Sequence, residues 1–357
     1  MNKKLIAVAI AGVCGAPAAM AQTTGGPVTL YGRIYEEVVS VEGKASDGAA
    51  LVPRRTRVDD ESSLLGVRGV EELGGGLKAW FQLETGFHPD QNDVAGAASS
   101  FATRNSGVGL QGGWGSFIIG RWDTPYKVAT YPVDAFSDLS FAGLSALGHD
   151  QGNFDKRDQN MVQYWSPTMG GFAVKAMWQT NEAKTATTNP HDTSIGATWT
   201  GGPVYVYLSW EEHKDPSATV TKEKGTQAGG YFNMGPVKVG GGYEQITRQA
   251  INGGVNPADR KEWYANLIWT MGGSQFIYQH QDSKGGLVNS TTLPQAKCDS
   301  DTIAYKYNFS KRTFAMLQYM VVKNNVRANC SFATTAAFAI ANGNDVNAFG
   351  FALQHVF

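Results

Sequence analysis

The chain is poor in cysteine and histidine, has no long apolar run, and carries charges that nearly cancel. Three cysteines and six histidines occur in 357 residues. Structural zinc takes four ligands and catalytic zinc usually three, so the isolated pair Cys298 and Cys330 is no metal signature. The histidines (His88, His149, His191, His213, His280 and His355) are scattered rather than clustered. There is no G-x-S-x-G elbow, no H-E-x-x-H and no phosphate loop. The sequence therefore points to no catalytic residue, no metal and no cofactor. With 30 basic and 31 acidic residues, the formal net charge is −1, which excludes the basic footprint of a nucleic-acid binder. The apolar run "LIAVAIAGV" is too short to cross about 30 Å of hydrocarbon as a helix.

That run has a different use. It follows Lys3 and Lys4 and precedes the small-x-small triplet Ala19-Met20-Ala21, the three parts of a secretory signal peptide. Residues 1–21 are expected to be removed, leaving one domain over 22–357. Loss of Lys3 and Lys4 moves the formal net charge from −1 to −3. Cys14 leaves with the leader, and Cys298 and Cys330 enter an oxidising space. A disulfide between them is expected, the alternative being two unrelated thiols.

What the chain does have is glycine, 43 residues of it, together with aromatics and period-2 patterning. In "VTLYGRIYEEV" Val28, Leu30 and Ile34 share one parity, while Tyr31, Arg33, Tyr35 and Glu37 share the other. The same alternation runs through "LKAWFQLETGF", "GFAVKAMWQT", "PVYVYLSWEE" and "TIAYKYNF". Short glycine-containing connections alternate with long polar ones, the longest over about 124–158 and 326–344. The pattern predicts about sixteen strands of the length of tilted membrane strands. A soluble sandwich would alternate too, but so many strands would leave long exposed edges. A closed barrel places aromatics toward lipid and charges toward a watery lumen, with no edge left. It also explains the terminus "GFALQHVF", where Phe349, Phe351, Leu353 and Phe357 share a face. The last strand closes the ring against the first, and Phe357 sits in the aromatic girdle.

The segment "SSLLGVRGVEELGGGLKAWFQLETGF" (62–87) resembles the second strand, turn and third strand of Gram-negative general porins of the neisserial and β-proteobacterial type. "VTLYGRIYEEV" resembles their first strand, "GSFIIGRWDTPY" (115–126) their fifth strand entering the third external loop, and "GFALQHVF" their closing strand. The resemblance covers the chain end to end. It implies an all-β, sixteen-stranded antiparallel barrel in the outer membrane, with short periplasmic turns and a third loop folded inward to narrow each pore. It also implies a homotrimer surrounded by lipid and lipopolysaccharide. Glycine-rich stretches such as "NSGVGLQGG" and "GSFIIG" suit a wall covered by another subunit.

Pore chemistry follows from parity. A charge facing lipid at mid-bilayer costs about 2–4 kcal/mol, so Arg33, Arg68 and Lys78 are expected on the lumenal wall of the constriction. Arg121 shares parity with Phe117 and Ile119, so only a bulge or strand end would turn it inward; the resemblance nonetheless places it in the arginine cluster of the wall. From the long segment 124–158, Asp134 and Asp138 would face that wall. They are ordinary solvated loop charges on the alternative reading, but Phe136, Leu139, Phe141, Leu144 and Leu147 favour an inserted loop. Arg54, Arg55 and Arg57 are expected as a basic cluster in the first external loop, either guiding anions or pairing with lipopolysaccharide or a neighbouring subunit. The expected function is passive diffusion of ions and small hydrophilic solutes, with a modest preference for anions and small carboxylates. The competitors are an adhesin or structural surface barrel, which planar-bilayer conductance would separate, and a barrel hydrolase, which an ester-hydrolysis assay would test.

Overall fold

The structure is a computed structural model that describes residues 28–45, 50–90, 101–136, 140–144, 147, 154, 156–217, 220–250, 259–285, 287–288, 291–292, 296–331 and 340–357. The expected leader, residues 1–21, lies outside the described residues. The chain begins with strands β1 (Val28–Lys44), β2 (Ala50–Asp60), β3 (Leu64–Gly74), β4 (Leu77–Gly86), β5 (Ser106–Gly112) and β6 (Gly115–Asp123). A short helix α1 (Pro125–Thr130) precedes β7 (Arg157–Trp165), β8 (Phe172–Gln179), β9 (His191–Gly201) and β10 (Val204–Ser217). Next come β11 (Val220–Met234), β12 (Val237–Ala250), β13 (Arg260–Met271) and β14 (Ser274–Gly285). The small pair β15 (Leu287–Val288) and β16 (Thr291–Thr292) precedes β17 (Lys297–Asn308), β18 (Thr313–Asn324) and β19 (Asp345–Val356).

Seventeen of these segments form one antiparallel sheet that runs round from β1 to β19, and β19 returns to β1. β2 and β3 are two halves of one barrel strand, because both pair with β1: β2 along Glu36–Lys44 and β3 along Val28–Arg33. The barrel is therefore sixteen-stranded and closed. The break between the halves is a local kink at Ser62, whose φ of 68° is rare for a side chain other than glycine. Tyr35 holds the kink: its carbonyl accepts from Glu61 N at 3.0 Å and its N–H donates to Ser63 Oγ at 2.9 Å.

Alternation decides which residues face where. On β19, Phe349, Phe351 and Leu353 are exposed on the outside, while Ala348, Gly350 and Ala352 are buried toward the lumen. On β17, Ile303, Tyr305 and Tyr307 point out and Ser300 and Thr302 point in. The outer surface is thus an apolar band, and near the short turns it carries a belt of rings. Phe276 lies 5.2 Å from Tyr305, and Tyr307 lies 5.1 Å from Phe309, centroid to centroid. Such a surface suits lipid rather than water. The short turns reverse the chain on glycines at positive φ, as at Gly235 (60°) and Gly272 (58°), which side chains rarely adopt.

Closure ends on Phe357. Its N–H donates to Gly32 O at 3.0 Å and its carbonyl accepts from Gly32 N at 3.1 Å. The ring lies across Gly32, where an added Cβ would fall 2.5 Å from Phe357 Cζ and 2.7 Å from Leu64 O. Gly32→Val is expected to reduce the yield of closed barrel on refolding, measured as the fraction with faster gel mobility before heating. A yield equal to wild type would show that the Phe357–Gly32 seam does not limit closure.

Candidate functional site: a lumen divided by the third loop

The segment between β6 and β7 starts as a helix for local reasons. Thr124 Oγ1 accepts from Lys127 N at 3.2 Å, and Pro125 occupies the first turn, where its missing N–H costs nothing. From there the segment runs inside the barrel against the wall. Tyr126 N donates to Ser194 Oγ on β9 at 3.0 Å, and Tyr126 OH donates to Glu244 on β12 at 2.8 Å. Tyr205 OH of β10 donates to Ala129 O at 2.7 Å, and Asn266 of β13 donates to Val133 O at 2.8 Å. Farther on, Gln279 of β14 donates to Ala142 O at 3.0 Å, Gln281 to Gly143 O at 3.2 Å, and Ser140 Oγ donates to Gln318 of β18 at 2.7 Å. Irregular backbone away from bulk water must find partners, and inward-facing amides and hydroxyls of β9–β14 and β18 supply them.

Apolar side chains complete the docking. Phe136, Phe141, Leu144 and Leu147 are buried, so the loop is inserted; Leu139 lies outside the described residues. Phe141 sits on Gly350 of β19, where a Cβ would come 2.5 Å from its ring. At the far end Phe154 stacks on His213 with 4.2 Å between centroids. His213 is itself held between Glu211 (2.8 Å) and Glu223 (3.4 Å), and Arg248 pairs with Glu223 at 2.6 Å. Lys156 bridges Asp158, at 3.0 Å, and Asp192. Burial opposes its charge, but the two aspartates outweigh burial and raise its pKa above the usual lysine value. Arg260 is fully buried between Glu244 and Glu262.

Leu147 also meets the disulfide. Cys298 pairs across the β17–β18 ladder with Asn324. The Asn324 side chain turns the following loop back, donating to Cys330 O at 2.9 Å and accepting from Cys330 N at 2.8 Å. Cys330 thereby comes within 6.3 Å of Cys298, Cα to Cα, and the two are bonded. Leu147 lies in a small recess with both cysteines and Arg260.

The loop thus covers the lumenal face of β9–β14, β18, β19 and the Tyr35–Val41 stretch of β1, and the start of β1 with β3–β8 lines the other side. On that second wall Arg33 is directed inward and donates to Ser62 O at 2.9 Å. Arg68 lies over the Tyr31 ring at 5.0 Å. The other candidates are placed differently. Lys78 stands beside the short 74–77 turn and pairs with Glu72 at 2.5 Å, so it belongs to the mouth rather than the constriction. Arg121 has the parity of Phe117 and Ile119, but at the end of β6 it stands among the charges of Arg157, Asp158 and Asp123; the register irregularity falls in β7, where Gly120 and Trp122 pair with Met161 and Asp158. Asp134 is buried, with its carboxylate accepting from Phe136 N at 2.9 Å, and so is not presented across the pore. Asp138 lies outside the described residues. Arg54, Arg55 and Arg57 lie on β2 rather than in a loop, since the β1–β2 ladder continues well above the kink. Arg54 pairs with Glu42 at 2.7 Å on one face and Arg57 with Asp59 at 2.7 Å on the other.

Two further arginines stand at this wall. Arg104 pairs with Glu84 at 2.9 Å, and Tyr31 OH donates to the same carboxylate at 3.0 Å. Arg157 pairs with Asp123 at 3.0 Å and donates to Asn105 at 2.9 Å. Both sit where a long loop meets a strand, outside any alternating run, so parity could not assign them. Phe141→Ala removes the ring that seats the loop on Gly350, a truncation worth about 3–5 kcal/mol in a packed core. It is expected to raise single-channel conductance and current noise in planar bilayers; unchanged traces would show that Phe141 does not hold the loop.

The Gram-negative porin family model matches residues 6–327. The outer membrane porin protein 32 of Delftia acidovorans is 26% identical over the whole of both chains. A major outer membrane protein P.IB of Neisseria meningitidis serogroup B is 26% identical over 89% of this chain and 92% of its own length. Among solved structures, the anion-selective porin from Comamonas acidovorans superposes with a TM-score of 0.78 at 24% identity, covering 92% of this chain and 99% of its own. OmpT of Vibrio cholerae, described in its trimer form, gives 0.67 at 16% identity over 92% and 99%. The closed barrel with its inserted loop and the match over most of the sequence lead to one assignment: the chain belongs to the Gram-negative porin family, passive channels of the outer membrane.

Proposed function

We propose that this porin passes small hydrophilic solutes down their gradients with a modest preference for anions, small organic acids among them. The observation that carries the reading is the pairing pattern on the wall opposite the loop. Asp59, Glu84 and Asp123 each have an arginine partner, whereas Arg68 forms no ion-pair contact with a carboxylate among the described residues, and Lys175 feels Asp123 without contacting it. Charges within about 8 Å of a passing ion act strongly at physiological salt, so the overall charge of the chain matters less than these two. Arginine stays charged at any working pH and presents a fork that fits carboxylates. The solved relative described as anion-selective favours the same sign.

The assembly follows from the outer wall. Val108, Leu110, Phe117 and Ile119 are exposed on the outer face of β5 and β6, an apolar patch that a second barrel would cover. We infer a homotrimer in lipid, released after removal of residues 1–21, with exposed Arg54 and Arg55 available to lipopolysaccharide phosphates. The trimer form described for OmpT agrees with this.

Replacing Arg33 and Arg68 together by Ser should move the reversal potential in a salt gradient toward cation selectivity. A double variant with the wild-type reversal potential would sink the proposed filter. Native mass spectrometry in mild detergent should give three subunits; monomer alone across several detergents would refute the assembly.

A further inference from the structure

We propose that the lumen carries a binding subsite for small aromatic carboxylates, built on Trp80, Trp122 and Trp165 and flanked by Arg68 and Lys175. It rests on the lumen being the permeation path described above. The three tryptophans come from β4, β6 and β7 and form one cluster. Trp80 stacks on Trp165 with centroids 5.7 Å apart and planes 24° from parallel, and Trp122 meets the two at 5.7 and 5.4 Å. Ile118, Met161 and Met177 are buried beneath them and form the floor.

The cluster is held in place rather than merely collapsed. Trp80 Nε1 donates to Ser116 Oγ at 3.1 Å, and Trp165 Nε1 donates to Gln163. The Trp80 ring lies across Gly109, where a Cβ would come within 2.6 Å of it. A cluster serving only to fill space would close on itself. Here a half-enclosed cavity of about 250 Å³ remains, lined by Arg68, Trp80, Gln82, Gln111, Trp122 and Trp165. About 150 Å³ suffices for benzene in a protein interior, so a single substituted ring fits.

Charge fixes the rest of the ligand. Arg68 lines the cavity, and the Lys175 ammonium lies 5.1 Å from the centre of the Trp165 ring. Neither cation is in ion-pair contact with a carboxylate among the described residues, although Asp123 acts on Lys175 from farther off. A ring stacked on tryptophan with its carboxylate toward Arg68 satisfies both features, with the Gln111 amide as a further donor. An aliphatic carboxylate of similar charge would engage the cations but not the stack, and a neutral ring would do the reverse.

The test uses the full-length protein in detergent, with benzoate, cyclohexanecarboxylate and acetate as probes and tryptophan fluorescence as the readout. Benzoate should give a saturable change with an apparent Kd at least about tenfold below those of the other two, and Trp80→Leu should weaken it by a similar factor. Benzoate indistinguishable from acetate would overturn the subsite, and this comparison needs no variant to fold. A benzoate effect undiminished in folded Trp80→Leu would overturn it as well. The reversal potential in potassium chloride separates the two proposals. Saturable benzoate binding without anion preference upholds the subsite and removes the filter, while anion preference with benzoate equal to acetate does the opposite.

Discussion

Every backbone N–H and C=O within a membrane must find a partner in the protein, because hydrocarbon offers none. The ring of ladders from β1 round to β19 and back meets that demand for the wall. The backbone pair between Phe357 and Gly32 belongs to that ring. A chain that frayed at its last residues would leave Gly32 and its neighbours unpaired on β1, at an edge facing lipid. The small residue at position 32 is the counterpart of the aromatic at 357, since the ring needs the space that a Cβ would occupy.

The same requirement explains the loop inside the barrel. Its carbonyls at Ala129, Val133, Ala142 and Gly143 are away from bulk water, and each receives a side-chain donor from the wall. The inward face of β9–β14 therefore has two functions, lining the barrel and serving as the loop's hydrogen-bonding surface. Buried ion pairs such as Arg260 with Glu244 and Glu262 contribute little net stability after desolvation, but breaking one leaves an uncompensated charge. Their role here is to fix where the loop lies, and so to decide which wall remains open to solute.

The fold was legible in the sequence because it is written in period two. The parity of Phe349, Phe351 and Leu353 against Ala348, Gly350 and Ala352 is the burial pattern of β19 itself. The same rule put Arg33 and Arg68 inside. It failed where side-chain direction stops being a matter of parity. Asp134 is acidic and lies in the inserted loop, yet it is occupied by its own backbone at Phe136 N. Lys78 has the right parity but the wrong height along the strand, and height is set by the turn at 74–77 rather than by alternation. Arg54, Arg55 and Arg57 read as loop because Pro53 and three charges crowd five residues. The β1–β2 ladder runs through them, with Arg54 paired across to Glu42 of β1 and Arg57 to Asp59 two residues along its own strand. Arg104 was invisible for the converse reason, since it gains its meaning only from Glu84 across the chain.

Composition alone argues for cations, since the chain carries slightly more acid than base. Geometry argues the other way, because neutralisation is local. Asp59, Glu84 and Asp123 each lie beside a guanidinium, so their fields fall off as those of dipoles rather than as those of charges. Glu211, Glu223, Glu244 and Glu262 are engaged with His213, Arg248 and Arg260 in the wall that the loop covers. Arg68 is left on the open side without an ion pair, with Lys175 near it and only partly offset by Asp123, and an uncompensated unit charge acts over a longer range than a compensated one. Both lie against aromatic rings rather than carboxylates, Arg68 on Tyr31 and Lys175 on Trp165. A ring orients a cation without neutralising it. The aromatic lining therefore holds these two side chains in place while leaving their charge for the solute.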